Sequence, residues 1–318
     1  MRSNKLGNTG LEVTPFGFGV LTVGKSQLDY PVKKGADLIR YALEKGINFL
    51  DTAQYYDTYP YIREALKGTS FKPVIASKCL DKTYEKMKFA VEEARRDMDR
   101  DVIEIFLLHE IRSPSEFKLC AGAWEYLNEA KQKGLVKAIG LSTHHVDVAL
   151  MCAEIPDMDV VFPLINHKNL GIRKGSSTGT KEEMALAIKS NALAGKGVFA
   201  MKAFGGGNLT GEYLAALDYV SNLDGVSSTM IGFSYPHEID RIIEYAEGTI
   251  DRNYAPDIRG KKMWVDPGDC EGCGACIDRC PNFAITKNES GKCEIDHSIC
   301  LKCGYCSPVC PVRAIIMY

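Results

Sequence analysis

Along residues 1–250 the apolar positions switch repeatedly between two periods. Short runs rich in β-branched and aromatic side chains fall at 16–20, 47–51, 74–78, 103–108, 136–142, 160–164, 198–203 and 226–231, and read as strands. Between them, apolar residues recur at helical spacing over 32–45, 61–66, 84–98, 114–133, 146–152, 182–194, 213–222 and 237–246. Strictly alternating strands and helices predict βα units and a parallel sheet. Eight such units in about 250 residues suit a closed (β/α)8 barrel of the TIM type better than an open sheet.

Punctuation along the chain supports that division. Helices run out in a basic residue followed by glycine, at Gly46 and Gly134, the signal for a left-handed helix stop. Ahead of the first strand, KLGNTGLEV reads as a β-hairpin turning near Asn8 to Gly10, placed to plug the bottom of the barrel. The stretch 171–180, GIRKGSSTGT, is expected to be a mobile loop over the strand ends. Periodicity fades between 248 and 268, so the expected domains are 1–250, a linker 251–264, and a small α+β unit 265–318.

Composition adds limits rather than identity. With 45% hydrophobic and 25% charged residues, the 318-residue chain can bury one large core and one small one. A net charge of -2 offers no basic field for nucleic acid or anionic lipid, so neither is expected as a partner. The N-terminus lacks the apolar core of a signal peptide and no long apolar run follows, so a cytoplasmic location is expected.

Cysteine placement changes the picture. Eight of the twelve cysteines lie in two matching runs, CEGCGACIDRCP from Cys270 and CLKCGYCSPVCP from Cys300. Each has the spacing C-x2-C-x2-C-x3-C-P, the bacterial run for paired 4Fe-4S clusters in which the fourth cysteine serves the other cluster. That rule assigns Cys270, Cys273, Cys276 and Cys310 to one cluster, and Cys300, Cys303, Cys306 and Cys280 to the other. Zinc or disulfides are the alternatives, but zinc sites usually take cysteines in two separated pairs. Cys79, Cys120, Cys152 and Cys293 follow no metal spacing and read as buried, reduced residues. Oxygen-sensitive clusters in a cytoplasm imply an anaerobic or microaerophilic host. The run and its tail, PNFAI then PVRAI, repeat after thirty residues (300 − 270), and this part of the chain resembles two-cluster bacterial ferredoxins.

Barrels of this kind carry their chemistry at the C-terminal ends of the strands. Four ionisable residues fall there: Asp51, Tyr56, Lys78 and His109, in NFLDTAQYY, VIASK and IFLLHE. A phenol gives up its proton near neutral pH only when a cation stabilises its anion. Lys78 is placed to be that cation, Asp51 to hold it, and His109 to orient a carbonyl and share the proton. Taken singly, each residue also fits a cap, a packed loop, a surface charge or a core histidine.

The set resembles the catalytic tetrad of the aldo-keto reductase superfamily, and the hairpin-plus-barrel layout resembles the same family, with the cysteine tail marking an iron-sulfur-containing branch. The resemblance implies an oxidoreductase acting on a carbonyl or alcohol, with NADP(H) lying across the strand ends. It would touch Gly19, Ser142, Thr143, Asn166, Met201, Lys202, Phe204, Gly205, Gly207, Gly232 and Ser234. Some positions depart from the family. Phe162 stands where a glutamine holds the carboxamide, Met201 where an aromatic stacks, Ser234 where a basic residue meets a 2′-phosphate, and Asp57 where a glycine follows the tyrosine.

Hydride carries two electrons and a cubane passes one, so the halves need either an intermediary such as a flavin, for which no motif stands out, or direct one-electron chemistry at the substrate. The expected enzyme is an iron-sulfur oxidoreductase with Tyr56 as acid and base, exchanging electrons with a ferredoxin- or flavodoxin-type partner. A non-catalytic electron carrier, and an NADPH reductase with structural clusters, are the alternatives. Tyr55, Tyr56, Tyr59, Tyr61 and His144 are expected near the mouth.

Overall fold

The computed structural model describes residues 1–25, 27–256, 262–312 and 314–317. Eight parallel strands close into a barrel: Phe16–Gly19, Phe49–Asp51, Val74–Cys79, Ile103–Leu108, Val136–Thr143, Val160–Pro163, Gly197–Ala200 and Ser228–Ile231. Each pairs with the next, and the last returns to the first through Thr229 opposite Phe16. Their side chains alternate between two buried layers, so both periods of the sequence are used. Phe18, Leu50, Ile75 and Phe106 face the helices, whereas Phe49, Ala76, Ile105 and Leu107 fill the lumen.

The N-terminal hairpin pairs Asn4–Lys5 with Glu12–Val13. Leu6, Leu11 and Val13 insert into the lumen layer from below, and Asn8 N–H bonds to Gly195 O at 2.8 Å. The barrel is thereby sealed at its N-terminal end, which leaves the opposite rim for chemistry.

Three sequence expectations shift. The helix expected over 114–133 is two, Pro114–Leu119 and Ala121–Gln132, broken at Cys120, where the chain leaves helical geometry. The loop 171–180 is an ordered two-stranded hairpin, Arg173–Lys174 with Ser177–Thr178. The small unit begins earlier than expected, because Met263–Val265 pairs with Ile315–Met317. Residues 257–261 of the expected linker lie outside the described residues.

The C-terminal unit has a hairpin of its own, Ile285–Lys287 with Cys293–Ile295, and a short helix, Ala275–Arg279. Met263, Val265, Ala284, Ile285 and Ile315 form its small core together with its own cysteines. So little apolar surface makes a weak core, of the kind that small proteins commonly reinforce with metal or disulfides.

That unit seats on the open rim of the barrel. Leu301 joins the main barrel core, Arg173 Nη2 donates to Asn282 O at 2.6 Å, and the Arg173 guanidinium lies 4.7 Å from the Phe283 ring centroid. Asn208 Nδ2 donates to Cys300 O. Among the described residues no helix is long and apolar enough to cross a membrane.

Candidate active site

Asp51, Lys78 and His109 arrive on neighbouring strands or just beyond their ends, and Tyr56 on the 3-10 turn Gln54–Tyr56 that follows the second strand. All four are buried. Lys78 Nζ donates to Asp51 Oδ1 and to Thr52 O, each at 2.6 Å. Burial raises the Asp51 carboxyl and lowers the Lys78 ammonium, each against the pull of the other. Two acceptors at 2.6 Å are what an ammonium gathers, so the geometry argues for the charged pair. Nζ lies 4.9 Å from the centroid of the Tyr56 ring, beside the anion that proton donation would create.

Tyr56 Oη is 3.4 Å from His109 Nε2. Burial, then Tyr305 and Asp51, push the phenol well above its usual range, so it rests protonated. Burial, then Lys78 and Arg279, hold the imidazole well below 6.5, so it rests neutral and can donate or accept. Asp57 adopts φ 55°, ψ 32°, the left-handed conformation a glycine would take there, at a cost of roughly 1–2 kcal/mol. The turn that carries Tyr56 therefore closes on a left-handed residue although that residue is Asp57.

The partner that sequence reasoning missed is Tyr305. Its hydroxyl sits 2.7 Å from Tyr56 Oη and 3.3 Å from His109 Nε2, and Tyr55 Oη donates to its carbonyl at 2.8 Å. Arg279, from the helix inside the first cysteine run, places its guanidinium 4.6 Å from the Tyr305 ring centroid and 4.9 Å from that of Tyr55. Arg279 Nη1 bonds to Glu110 Oε2 at 2.8 Å. Burial opposes its charge, and the Glu110 carboxylate more than restores it. Glu110 is itself left-handed, with φ 61°, and Ser142 Oγ accepts its N–H at 2.8 Å. One signal was available: aligned by the thirty-residue offset, Tyr305 stands where the first run has Ala275. The cysteine spacing does not call for a phenol there.

Of the aromatic residues expected at the mouth, Tyr55 and Tyr56 face it. Tyr59 Oη pairs with Ser77 Oγ at 2.7 Å and Tyr61 Oη donates to Tyr30 O, so both are spent on packing. His144 is buried beside Arg173, Arg112 and Lys202.

The positions expected to hold a dinucleotide lie along the rim with their polar groups engaged elsewhere. Ser142 holds Glu110, Thr143 Oγ1 donates to Ile111 O at 2.7 Å, and the Asn166 amide ties the loop through Leu170. Met201 packs against both core layers, Lys202 is left-handed at φ 65°, and Phe204 stacks on Tyr213 at 4.9 Å. Gly205 to Gly207 form one turn pressed under the second cysteine run. A Cβ on Gly206 would meet Leu301 O at 1.5 Å, so only glycine allows that approach. Gly19 lies against Ile231 O, and Gly232 against Thr22 Oγ1. Ser234 N–H, at the start of the helix Pro236–Glu247, is taken by Glu238 Oε2 at 2.5 Å. Phe162 is stacked on Phe199, 4.2 Å apart, inside the lumen.

Cys280, Cys300, Cys303 and Cys306 line one small apolar cavity, together with Met263, Ile285 and Leu301. Backbone N–H groups point at the sulfurs: Ala284 to Cys280 at 3.3 Å, Lys302 to Cys300 at 3.4 Å, Gly272 to Cys270 at 3.4 Å and Ala314 to Cys310 at 3.3 Å. Cys310 lies close enough to Cys276 to raise its thiol, after burial and Cys293. Among the described residues no group of three or more His, Cys, Asp or Glu side chains is set as a single-ion site. Thiols ringing an apolar space and fed by N–H donors suit a larger iron-sulfur cluster. Cys79, Cys120, Cys152 and Cys293 are buried and free.

A plugged eight-stranded barrel with an acid, a lysine, a phenol and an imidazole at its open rim is a reductase-type barrel. Residues 15–218 match the aldo/keto reductase family, a family of oxidoreductases, and the chain belongs to it. Residues 269–314 match a 4Fe-4S dicluster domain. The chain is 27% identical over 157 residues to L-galactose dehydrogenase of Arabidopsis thaliana, covering 45% of this chain and 49% of that protein. It is 25% identical over 158 residues to the uncharacterized oxidoreductase YqkF of Bacillus subtilis, covering 45% and 49%. The chain thus spans about half the length of these curated relatives. A solved structure from Pseudomonas aeruginosa, described as an aldo-keto reductase, has TM-score 0.66 at 24% identity, over 78% of this chain and 95% of that one. That likeness is one of fold.

Proposed function

We propose that this chain reduces a carbonyl compound, or oxidises the matching alcohol, by one-electron steps, with Tyr56 exchanging the proton. The observation that carries this reading is the 2.7 Å contact between Tyr56 and Tyr305, which seats a cysteine run against the pocket that holds the proton donor. Carbonyl reduction to an alcohol consumes two electrons and two protons. Tyr56 delivers one proton to the substrate oxygen, neutral His109 bonds the same oxygen, and Lys78 steadies the phenolate until water reprotonates it. The second proton, taken up at the carbonyl carbon with the second electron, also comes from water. Asp51 keeps Lys78 in place.

The proposed ligand sets are Cys270, Cys273, Cys276 and Cys310 for one 4Fe-4S cluster, and Cys300, Cys303, Cys306 and Cys280 for the other. When bound, these clusters supply single electrons, obtained from a ferredoxin- or flavodoxin-type partner. Cys273 is exposed, so the first set faces the side a partner can reach. NADP(H) is not the reductant in this reading. The second run lies on the glycine turn where its diphosphate would rest, and a carboxylate, Glu238, already occupies the helix start that would attract an anion. A flavin is not required when electrons arrive singly.

Anaerobically prepared protein tests this by titration with dithionite and with NADPH. The expected result is reducible clusters, no NADPH binding, and dithionite-supported turnover that Tyr56→Phe abolishes while leaving the clusters reducible. NADPH-driven turnover with the clusters unchanged in redox state would overturn it.

A further inference from the structure

Tyr305 is 6% exposed, yet it is buried chiefly against the barrel rather than within its own small unit. Its oxygen bonds the two groups, Tyr56 Oη and His109 Nε2, that the proposed function assigns to the substrate oxygen. The ring is held as specifically as the oxygen. The Arg279 guanidinium lies 4.6 Å from its centroid, inside the cation–π range. Tyr55 and His109 meet it edge-on, at 5.8 Å and 81° and at 5.9 Å and 82°. Lys202 Nζ stands 6.0 Å from the same centroid.

We propose that this slot is the substrate site and that Tyr305 is its internal resting ligand. The inference rests on the reading that Tyr56 and His109 hold the substrate oxygen, and it names the substrate class: a six-membered ring, aromatic or conjugated, bearing a carbonyl or hydroxyl oxygen. Such a ring takes the place of the Tyr305 side chain, oxygen on oxygen and face on guanidinium. Arg279, Tyr55 and Tyr305 are then specificity-determining residues, and two of them come from the cysteine unit. An occupant tethered to the chain lowers the apparent affinity of any competitor by the fraction of time the slot is filled. Removing the tyrosine therefore tightens binding of its analogue.

The test uses cluster-loaded, full-length protein without oxygen or reductant, and calorimetry with 4-methylphenol, which is the tyrosine side chain cut at its β-carbon. Tyr305→Ala is expected to bind 4-methylphenol at least about tenfold more tightly than the wild type, and about fivefold or more tightly than toluene, the value of one net hydrogen bond. Adding Tyr56→Phe to that variant is expected to lower the preference over toluene, leaving only what the His109 contact supports. Equal binding by Tyr305→Ala and wild type, or equal binding of the two ligands, overturns the proposal. If Tyr305→Ala does not load its clusters, Tyr305→Phe keeps the ring and drops only the hydroxyl. It is expected to bind 4-methylphenol about fivefold more tightly than the wild type, and no change overturns the proposal. Because binding is read at equilibrium, the slot and the reaction are judged apart. Binding as expected without carbonyl turnover sustains the slot and removes the reaction, and turnover without the binding change does the reverse.

Discussion

The Asp51–Lys78 pair shows how much one residue can hold. Lys78 is 1% exposed and bonded at 2.6 Å to a carboxylate that is 6% exposed. Lys78→Met leaves that carboxylate buried and unpaired, and is expected to cost about 3–5 kcal/mol in urea unfolding as well as turnover. A loss under about 1 kcal/mol would show that Asp51 is held by other groups. The buried histidines set a pH dependence. Burial holds His144 well below 6.5, so the unfolded chain binds a proton there that the folded chain refuses. Stability from this group is present above pH about 6.5 and is lost as pH falls. His144→Gln is expected to flatten the fall in urea midpoint between about pH 7 and pH 5.5, and an unchanged slope would remove His144 as the cause. Residues at strand ends, Asp51, Lys78 and His109, were legible because strand period and barrel topology fix where they point. Tyr305 and Arg279 were not, because their contacts form only where the cysteine unit meets the barrel.

Elements divide along the same line. The eight barrel strands follow from local period, and only their ends move by a few residues. The break at Cys120 was hidden because apolar spacing continues through it, and the hairpin at 173–178 because Gly, Ser and Thr suit a mobile loop and a tight turn alike. What fixes that hairpin is tertiary, the bond from Arg173 to Asn282. The helix Ala275–Arg279 is too short to be stable alone, yet it carries the buried bond from Arg279 to Glu110. Arg279→Met leaves the Glu110 carboxylate with Arg112 alone and removes the guanidinium from Tyr305. It is expected to loosen the seat, read as faster amide exchange at 205–208 with little change over the central strand 103–108. Exchange at 205–208 as slow as in the wild type would mean that the remaining contacts, Leu301, Asn208, Tyr55 and the Arg173–Asn282 bond, hold the seat without Arg279.

At the scale of the whole molecule, the cysteine unit closes the barrel from above as the hairpin closes it from below. This arrangement supports the reading proposed above, since it sets a tyrosine of the cysteine unit into the barrel pocket and seats Leu301 on the glycine turn. The crossed assignment of cysteines makes its own prediction. Cys280→Ser, in the first run, is expected to disturb the cluster held by the second run and to lower iron content by about half, with the other cluster's spectrum retained. Loss confined to the cluster of Cys270, Cys273 and Cys276 would show an uncrossed assignment.

The cavity ringed by Cys280, Cys300, Cys303 and Cys306 also bears on how the newly made chain is loaded. Leu301 and Cys303 turn that side of the unit towards the barrel, while Cys273 stays open to solvent. On the ligation proposed above, docking leaves Cys280 and Cys306 buried and Cys300 and Cys303 half-buried, so a maturation factor carrying iron and sulfide is expected to find the inner quartet more open before the two halves join.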